Sequence, residues 1–166
     1  MKPFFYFIVA SLFLTTPIHA WTVTGNVTRV IDGDSLVITH QNQTYEIRLN
    51  HIDSPEWKQP YGKTAKKALQ KRLLNQEVTA FIAKKDIYGR YLADIVHENA
   101  SINTLWIKNG HAWCYPKQPL IKSCQSLESI AKSTRQGLWK SQKPLPPWEY
   151  RASKRKNRKL TGIMGL

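Results

Sequence analysis

The chain has 166 residues and carries 25 Lys and Arg against 11 Asp and Glu, a formal net charge of +14. This length suits one domain built around one hydrophobic core, and a hydrophobic content of 42% excludes a chain that is disordered throughout. The strong positive charge favours a polyanionic partner, either nucleic acid or an anionic surface, although such charge can also serve solubility alone.

The first 20 residues have the pattern of a secretory signal peptide. Lys2 provides a short positive start, residues 4–14 form an apolar run, and the segment ends at the small residue Ala20. The apolar run is shorter than the roughly 20 residues that span a bilayer. We therefore predict a protein exported to the periplasm or secreted, and an uncleaved N-terminal membrane anchor is the alternative.

Alternating apolar residues, bounded by turn residues, predict five main strands, over residues 21–30, 36–39, 45–49, 77–85 and 91–97. Apolar residues at helical spacing predict three helices, over residues 63–74, between Ser101 and Gly110, and over residues 126–136. A helix inserted after the third of five hairpin-joined strands favours a small closed barrel of the OB type over a sandwich. The predicted fold is therefore α+β but mainly β, an OB-fold five-stranded closed barrel with three helices, formed by residues 21–140.

The composition changes after residue 140. Residues 143–148 form a proline-rich strap, and six basic residues follow within the range 151–159. We predict that residues 141–166 are a strap and a mobile basic tail, whose charge attracts phosphate groups without specificity.

Two cysteines, Cys114 and Cys124, lie in the part of the chain that follows the signal segment. In an exported protein an even pair of cysteines indicates a disulfide, which would contribute about 2–3 kcal/mol to stability. The spacing does not match a zinc-binding pair. Two unpaired, buried thiols are the alternative.

Acidic residues gather in two loops of this otherwise basic chain. Asp34 lies in the turn after the first predicted strand, whereas Asp53 and Glu56 lie in the loop after the third. Both loops would meet at one end of a barrel, and clustered carboxylates are ligands for a hard cation such as Ca²⁺ or Mg²⁺. The alternative is that the aspartates only stabilise a turn and a loop.

Two arginines favour a phosphate-cleaving site over a purely structural role for these acids. Arg48 is predicted on the face of the third strand that points away from the core, and Arg90 follows a turn that contains Asp86. Guanidinium groups bind phosphate oxygens through paired hydrogen bonds. A metal ion, two arginines and a free carboxylate are the parts that phosphodiester hydrolysis needs. For Arg90, an ion pair with Asp86 is the structural alternative.

Three motifs in this region closely resemble the thermonuclease family, the staphylococcal nuclease-like proteins. They are V-I-D-G-D-S-L at 30–36, I-R-L-N-H-I-D-S-P-E at 47–56 and D-I-Y-G-R-Y-L-A at 86–93, and the resemblance extends over residues 24–150. The cysteine pair fits exported Gram-negative relatives. The resemblance implies an OB-fold, Ca²⁺-dependent endonuclease that cuts DNA and RNA with little sequence preference and leaves 3′-phosphate ends.

The resemblance also assigns roles to individual residues. It implies Glu56 as the general base and two arginines as clamps on the scissile phosphate, so that the catalytic residues are Arg48, Glu56 and Arg90. The implied ligands of one Ca²⁺ are Asp34, Asp53 and the backbone carbonyl of Ser54. The implied substrate contacts are Tyr88, Trp113 and Tyr115. We expect a monomer without a stable protein partner, and a non-catalytic nucleic-acid-binding OB module is the alternative.

Overall fold

The structure is a computed structural model that describes residues 21–116 and 122–163, with the backbone alone at residues 122 and 159–163. The predicted signal segment, residues 1–20, lies outside the described residues. Within the described ranges, none of the helices combines the length and the apolar character needed to cross a membrane.

Strands dominate the first part of the described chain, and helices dominate the last part. The elements are β1 (Trp21–Val30), β2 (Ser35–His40), β3 (Gln43–Leu49), β4 (Ile52–Asp53), α1 (Gly62–Leu73), β5 (Glu77–Lys85), β6 (Tyr91–His97), β7 (Ala100–Ser101), α2 (Ile102–Lys108), β8 (Trp113–Cys114), α3 (Lys122–Ser133), a 3₁₀ helix (Gly137–Lys140) and α4 (Pro147–Ile163).

Five strands close into a barrel. Strand β1 pairs antiparallel with both β2 and β5, β2 continues to β3, and β5 continues to β6. A parallel pairing between β3 and β6, in which Arg48 lies opposite Leu92, joins the two ends of the sheet. The predicted five-stranded OB-type barrel is confirmed.

The barrel interior follows from the alternation along each strand, because successive side chains of a strand point to opposite faces. In β1, Val23 and Val27 are buried while their neighbours are exposed, and Ile47 in β3 is fully buried between exposed and half-buried residues. Helix α1 covers the barrel with Leu69 and Leu73, both fully buried. Each such side chain contributes about 1.5–3 kcal/mol by leaving water.

Three of the observed α-helices correspond to the predicted ones, with shifted ends. Ser101 is the N-cap of α2, as predicted, and its Oγ accepts a hydrogen bond from the N–H of Thr104 at 3.3 Å. Helix α3 begins four residues before the predicted start and ends at Ser133, because Arg135 takes a left-handed conformation with φ of 50°, which an α-helix does not continue through.

The number of helices was predicted wrongly, because a fourth α-helix follows the proline-rich strap. Helix α4 begins at Pro147, where the missing N–H of proline leaves no helical hydrogen bond unmade, and Glu149 places a negative charge in its first turn. Trp148 packs against the ring of Trp113, at a centroid distance of 6.5 Å. The basic residues that we assigned to a tail therefore lie on a helix attached to the domain.

A disulfide joins Cys114 in β8 to Cys124 in α3, with the two Cα atoms 6.0 Å apart. The predicted pairing is confirmed. Because β8 pairs with the two-residue strand β4, this bond attaches the α3 side of the molecule to the loop that carries Asp53.

Asn103 of helix α2 hydrogen-bonds to backbone groups of the barrel, and its replacement tests how α2 is attached there. Its buried amide accepts a hydrogen bond from the N–H of Ile95 at 3.0 Å and donates to the carbonyl of Asn50 at 3.0 Å. Replacing Asn103 by Ala leaves both backbone groups buried without that partner, so we expect the free energy of unfolding to fall by about 2–4 kcal/mol in urea denaturation.

The neighbouring Thr104 is the matched control for Asn103, since its side chain is exposed on the same helix. Thr104→Ala should change the free energy of unfolding by less than about 0.5 kcal/mol. If both substitutions lowered the free energy of unfolding equally, the Asn103 amide would not be the group that attaches α2 to the barrel.

Candidate active site

The turn between β1 and β2 holds Asp34 in a buried position. The N–H of Asp34 donates to Oδ1 of Asp32 at 3.0 Å, and its carbonyl accepts from the N–H of Leu49 at 2.8 Å. The Asp34 side chain is buried, and its Oδ1 accepts from the hydroxyl of Ser35 at 3.1 Å. The turn therefore presents one carboxylate, from a fixed backbone, to the end of the barrel.

Gly33 allows this turn to approach the loop after β4. A Cβ at this position would lie 2.7 Å from Cβ of Ser54 and 2.9 Å from Cβ of Ala65, which is closer than packed carbon atoms come. With glycine there, the N–H of Ser54 donates to Oδ2 of Asp34 at 2.6 Å, and Oγ of Ser54 lies 3.0 Å from the carbonyl oxygen of Gly33. The two acidic loops therefore meet, as the sequence predicted.

Asp53 is positioned by the small β4–β8 ladder, in which it lies opposite Trp113. Only 1% of Asp53 is exposed. The hydrogen-bonded ladder and the disulfide at Cys114 together determine where its carboxylate lies.

Glu56 lies on a loop stabilised by hydrogen bonds to Gln59. The N–H of Glu56 donates to Oε1 of Gln59 at 3.1 Å, and its carbonyl accepts from the N–H of Gln59 at 2.8 Å. Gly62 packs against the backbone of Glu56, since a Cβ at position 62 would be 1.9 Å from the Glu56 carbonyl oxygen. The side chain of Glu56 is 39% exposed, so this acid is more accessible than Asp34 and Asp53, which are buried.

Arg48 joins the two buried aspartates. Its Nη1 lies 2.8 Å from Oδ2 of Asp34 and its Nη2 lies 2.8 Å from Oδ1 of Asp53. Burial raises the pKa of Asp34 well above its ordinary value, despite the opposing effect of the Arg48 charge. Burial would lower the pKa of Arg48, but the charges of Asp34 and Asp53 outweigh it and raise this pKa. One guanidinium therefore stabilises two desolvated carboxylates.

A residue that the sequence analysis did not single out, Arg151 of α4, enters the same cluster. Its Nη2 lies 2.8 Å from Oδ2 of Asp53, and its Nη1 lies 2.6 Å from Oε1 of Glu56. Burial lowers the pKa of Arg151, but hydrogen bonds to Asp53 and Glu56 outweigh it and raise this pKa. The start of a helix at Pro147 was the available signal, because a proline followed by an acid marks a helix N-terminus.

A cleft at this end of the barrel is lined by Arg90 together with Asp34, Arg48, Asp53, Glu56 and Arg151. Its Nη2 lies 2.8 Å from Oδ2 of Asp86, so the ion pair named as the structural alternative is present. Burial would raise the pKa of Asp86, but hydrogen bonds from Arg90 and the backbone lower it. Arg90 thus faces the cleft without a described ion pair to Asp34, Asp53 or Glu56.

The three aromatic residues assigned to substrate binding lie in different places. Tyr88 is 77% exposed at the β5–β6 turn, and both Tyr88 and Tyr115 line the cleft. Trp113 is 5% exposed and packs edge-on against Trp139, at a centroid distance of 5.3 Å. The structure therefore brings the two tyrosines to the cleft but uses Trp113 in packing.

The carboxylate oxygens at the barrel end are candidate ligands for a hard divalent cation. Asp34 and Asp53 offer carboxylate oxygens at the same end of the barrel, where both pair with the Arg48 guanidinium. In the described ranges, His, Cys, Asp and Glu form no group of three or more with the arrangement of a metal site. Two carboxylates that leave the remaining positions to water, backbone and phosphate oxygens suit Mg²⁺ or Ca²⁺. The residues therefore fit such an ion, which Asp34 and Asp53 would hold through their carboxylates.

Comparison with known proteins places the chain in a family. The sequence profile described as staphylococcal nuclease homologue matches residues 46–141. The chain is 31% identical to an uncharacterized endonuclease of Escherichia coli O157:H7 over 139 residues, which cover 83% of this chain and 91% of that protein. It is 30% identical to a micrococcal nuclease of Shigella flexneri over 156 residues, which cover 87% of this chain and 90% of that protein.

A staphylococcal-like nuclease of Arabidopsis thaliana is 36% identical over 124 residues, which cover 72% of this chain and 38% of the plant protein. The profile match spans more than half of the chain and includes Arg48, Asp53, Glu56 and Arg90. The two bacterial relatives align with this chain along most of their length. The chain therefore belongs to the staphylococcal nuclease homologue family, and it is a nuclease, an enzyme that hydrolyses phosphodiester bonds of nucleic acids.

Proposed function

We propose that this nuclease is a monomeric, exported endonuclease that uses one Ca²⁺ ion, cuts DNA and RNA with little sequence preference and leaves 3′-phosphate ends. The observation that carries the proposal is the cluster at the barrel end. Two buried aspartates share Arg48, and the accessible carboxylate of Glu56 lies beside them in a cleft that also contains Arg90.

The roles of the side chains follow from their exposure and charge. The exposed carboxylate of Glu56 takes a proton from a water molecule, whose oxygen forms the new bond to phosphorus. The bond from phosphorus to the 5′ oxygen breaks, and that oxygen takes up a proton from solvent to become a hydroxyl. Arg48 and Arg90 offset the negative charge that develops on the other phosphate oxygens. A Ca²⁺ ion held by Asp34 and Asp53 would polarise the phosphate as a Lewis acid.

Weak sequence preference is expected from the chemistry of the cleft. Its charged groups suit phosphate, which every nucleotide carries, and phosphate contacts hold no sequence information. Tyr88 and Tyr115 can stack on any base, because every base has a π-face. A preference for one sequence would require polar groups directed at base edges.

A binding module without catalysis is supported less well by the same geometry. A site that only holds nucleic acid gains from arginine and lysine, whereas carboxylates repel phosphate. Asp34 and Asp53 are buried at a cost in desolvation that the Arg48 charge offsets, and paired carboxylates at a cleft are ligands that a hard cation prefers. Export is supported by the pattern of residues 1–20 and by the disulfide at Cys114, since disulfides persist in oxidising compartments.

Metal removal tests the proposal directly. Supercoiled plasmid incubated with the protein and Ca²⁺ should become nicked and then linear, and cleavage should stop with EDTA and return with excess Ca²⁺. A parallel incubation with Mg²⁺ tests the identity of the ion. Undiminished cleavage in EDTA would contradict a metal-dependent mechanism.

Glu56→Gln tests the general base. The amide keeps the shape but does not accept a proton, so kcat should fall by about 10²–10⁴-fold, with an unchanged circular dichroism spectrum. Glu98→Gln is the matched control, because Glu98 pairs with Arg72 on an exposed surface, and its kcat should stay within about twofold of wild type. Wild-type kcat in Glu56→Gln would remove Glu56 from the reaction.

The ends of the products test which phosphorus–oxygen bond breaks. Fragments with 3′-phosphate carry a free 5′-hydroxyl, so polynucleotide kinase should label them without earlier phosphatase treatment. Fragments from a restriction digest, which carry 5′-phosphate, are the control and label only after phosphatase. If the nuclease products behave like the restriction fragments, the bond to the 3′ oxygen is the one that breaks.

A further inference from the structure

The charged groups at the barrel end form one continuous series. Asp34 pairs with Arg48, Arg48 with Asp53, Asp53 with Arg151, and Arg151 with Glu56, with the closest N–O distance of each pair between 2.6 and 2.8 Å. Acids and guanidiniums alternate along the series. Arg151 is the member that fixes the exposed acid, Glu56, relative to the buried acid, Asp53.

The position of Arg151 is determined by how α4 is attached. The side-chain amide of Gln59 donates to the carbonyl of Leu145, just before the helix. Pro147 is buried and Trp148 packs against Trp113. Gln59 also hydrogen-bonds the backbone of Glu56. The same small network therefore positions both ends of the Arg151–Glu56 pair.

From this geometry we propose that Arg151 is a positioning residue of the nuclease, which orients the carboxylate of Glu56 toward the position of the attacking water. This inference rests on the proposed function, in which Glu56 is the general base. A glutamate with 39% exposure has several accessible rotamers, and a side chain that samples several of them spends less time in the reactive geometry. The hydrogen bonds of Arg151 to the carboxylates of Asp53 and Glu56 favour one of these Glu56 rotamers.

The proposal changes the expected role of the C-terminal segment. A basic tail would contribute only salt-dependent attraction to DNA. A helix that places Arg151 against Glu56 contributes to kcat, so removal of α4 should impair chemistry as well as affinity. Arg151 also adds a positive charge beside Asp53 and therefore disfavours a cation at that carboxylate.

Three variants test the proposal: Arg151→Ala, Arg151→Lys and the control Arg72→Ala, which removes an arginine from the exposed pair with Glu98. The quantities to compare are kcat and KM on a defined duplex with saturating Ca²⁺, and Ca²⁺ binding by calorimetry without nucleic acid. Arg151→Ala should lower kcat by about 10-fold or more with KM within about threefold. Its Ca²⁺ affinity should rise by about 3- to 10-fold, because a competing positive charge is gone.

Arg151→Lys separates charge from geometry. The lysine keeps the positive charge, so the Ca²⁺ affinity of this variant should stay near that of wild type. Its single ammonium group does not match the geometry of two carboxylates, so kcat should be restored only in part. If thermal unfolding shows that Arg151→Ala does not fold, Arg151→Lys becomes the variant that tests the proposal. In that case, a kcat of Arg151→Lys equal to wild type would overturn the proposal.

The outcomes distinguish this inference from the proposed function. If wild type cleaves and Glu56→Gln does not, but Arg151→Ala retains wild-type kcat, the function stands and Arg151 has no positioning role. A higher KM with unchanged kcat would make Arg151 a phosphate contact, and weaker Ca²⁺ binding would make it a support for the metal ligands. Either result overturns the proposal. An inactive wild type would overturn the function itself.

Discussion

The Arg48 guanidinium, buried between Asp34 and Asp53, is the interaction on which the site depends. Two carboxylates with almost no exposure repel each other and lose their hydration, so they are stable together only with a positive charge between them. Arg48 supplies that charge at 2.8 Å from each. Two local features of the loops support this approach: the glycine at position 33, and the Ser54 N–H that donates to Asp34.

Barrel closure brings Arg48 and Arg90 to one cleft. Strand β3 carries Arg48, and its parallel pairing with β6 sets Arg48 opposite Leu92, two residues beyond Arg90. The hydrogen bonds that complete the barrel therefore also bring the two guanidiniums to the same end. The parallel ladder between β3 and β6 therefore determines where the turn that carries Arg90 begins relative to Arg48.

Much of the fold was predictable, because it depends on local pattern. The strand and turn patterns predicted the observed ends of β1, β5 and β6, and turn residues located the two acidic loops. The meeting of those loops followed from barrel topology, so Asp34 and Asp53 could be paired before the structure was known. Trp113 and Arg151 could not be placed in this way. Their positions depend on how α4 packs against β8, a contact between distant segments that local periodicity does not contain.

The charge distribution gives the protein two electrostatic functions at different ranges. The net charge of +14 attracts a polyanion over distances up to about 10 Å at moderate salt, beyond which the attraction is largely screened. Inside the cleft, carboxylates alternate with guanidiniums at N–O distances of 2.6–2.8 Å, so the short-range field changes sign from one side chain to the next. If Arg151 were only part of the long-range attraction, it would face solvent; instead it contacts Asp53 and Glu56. Its position therefore argues that the C-terminal helix belongs to the short-range part, where geometry rather than total charge determines the rate.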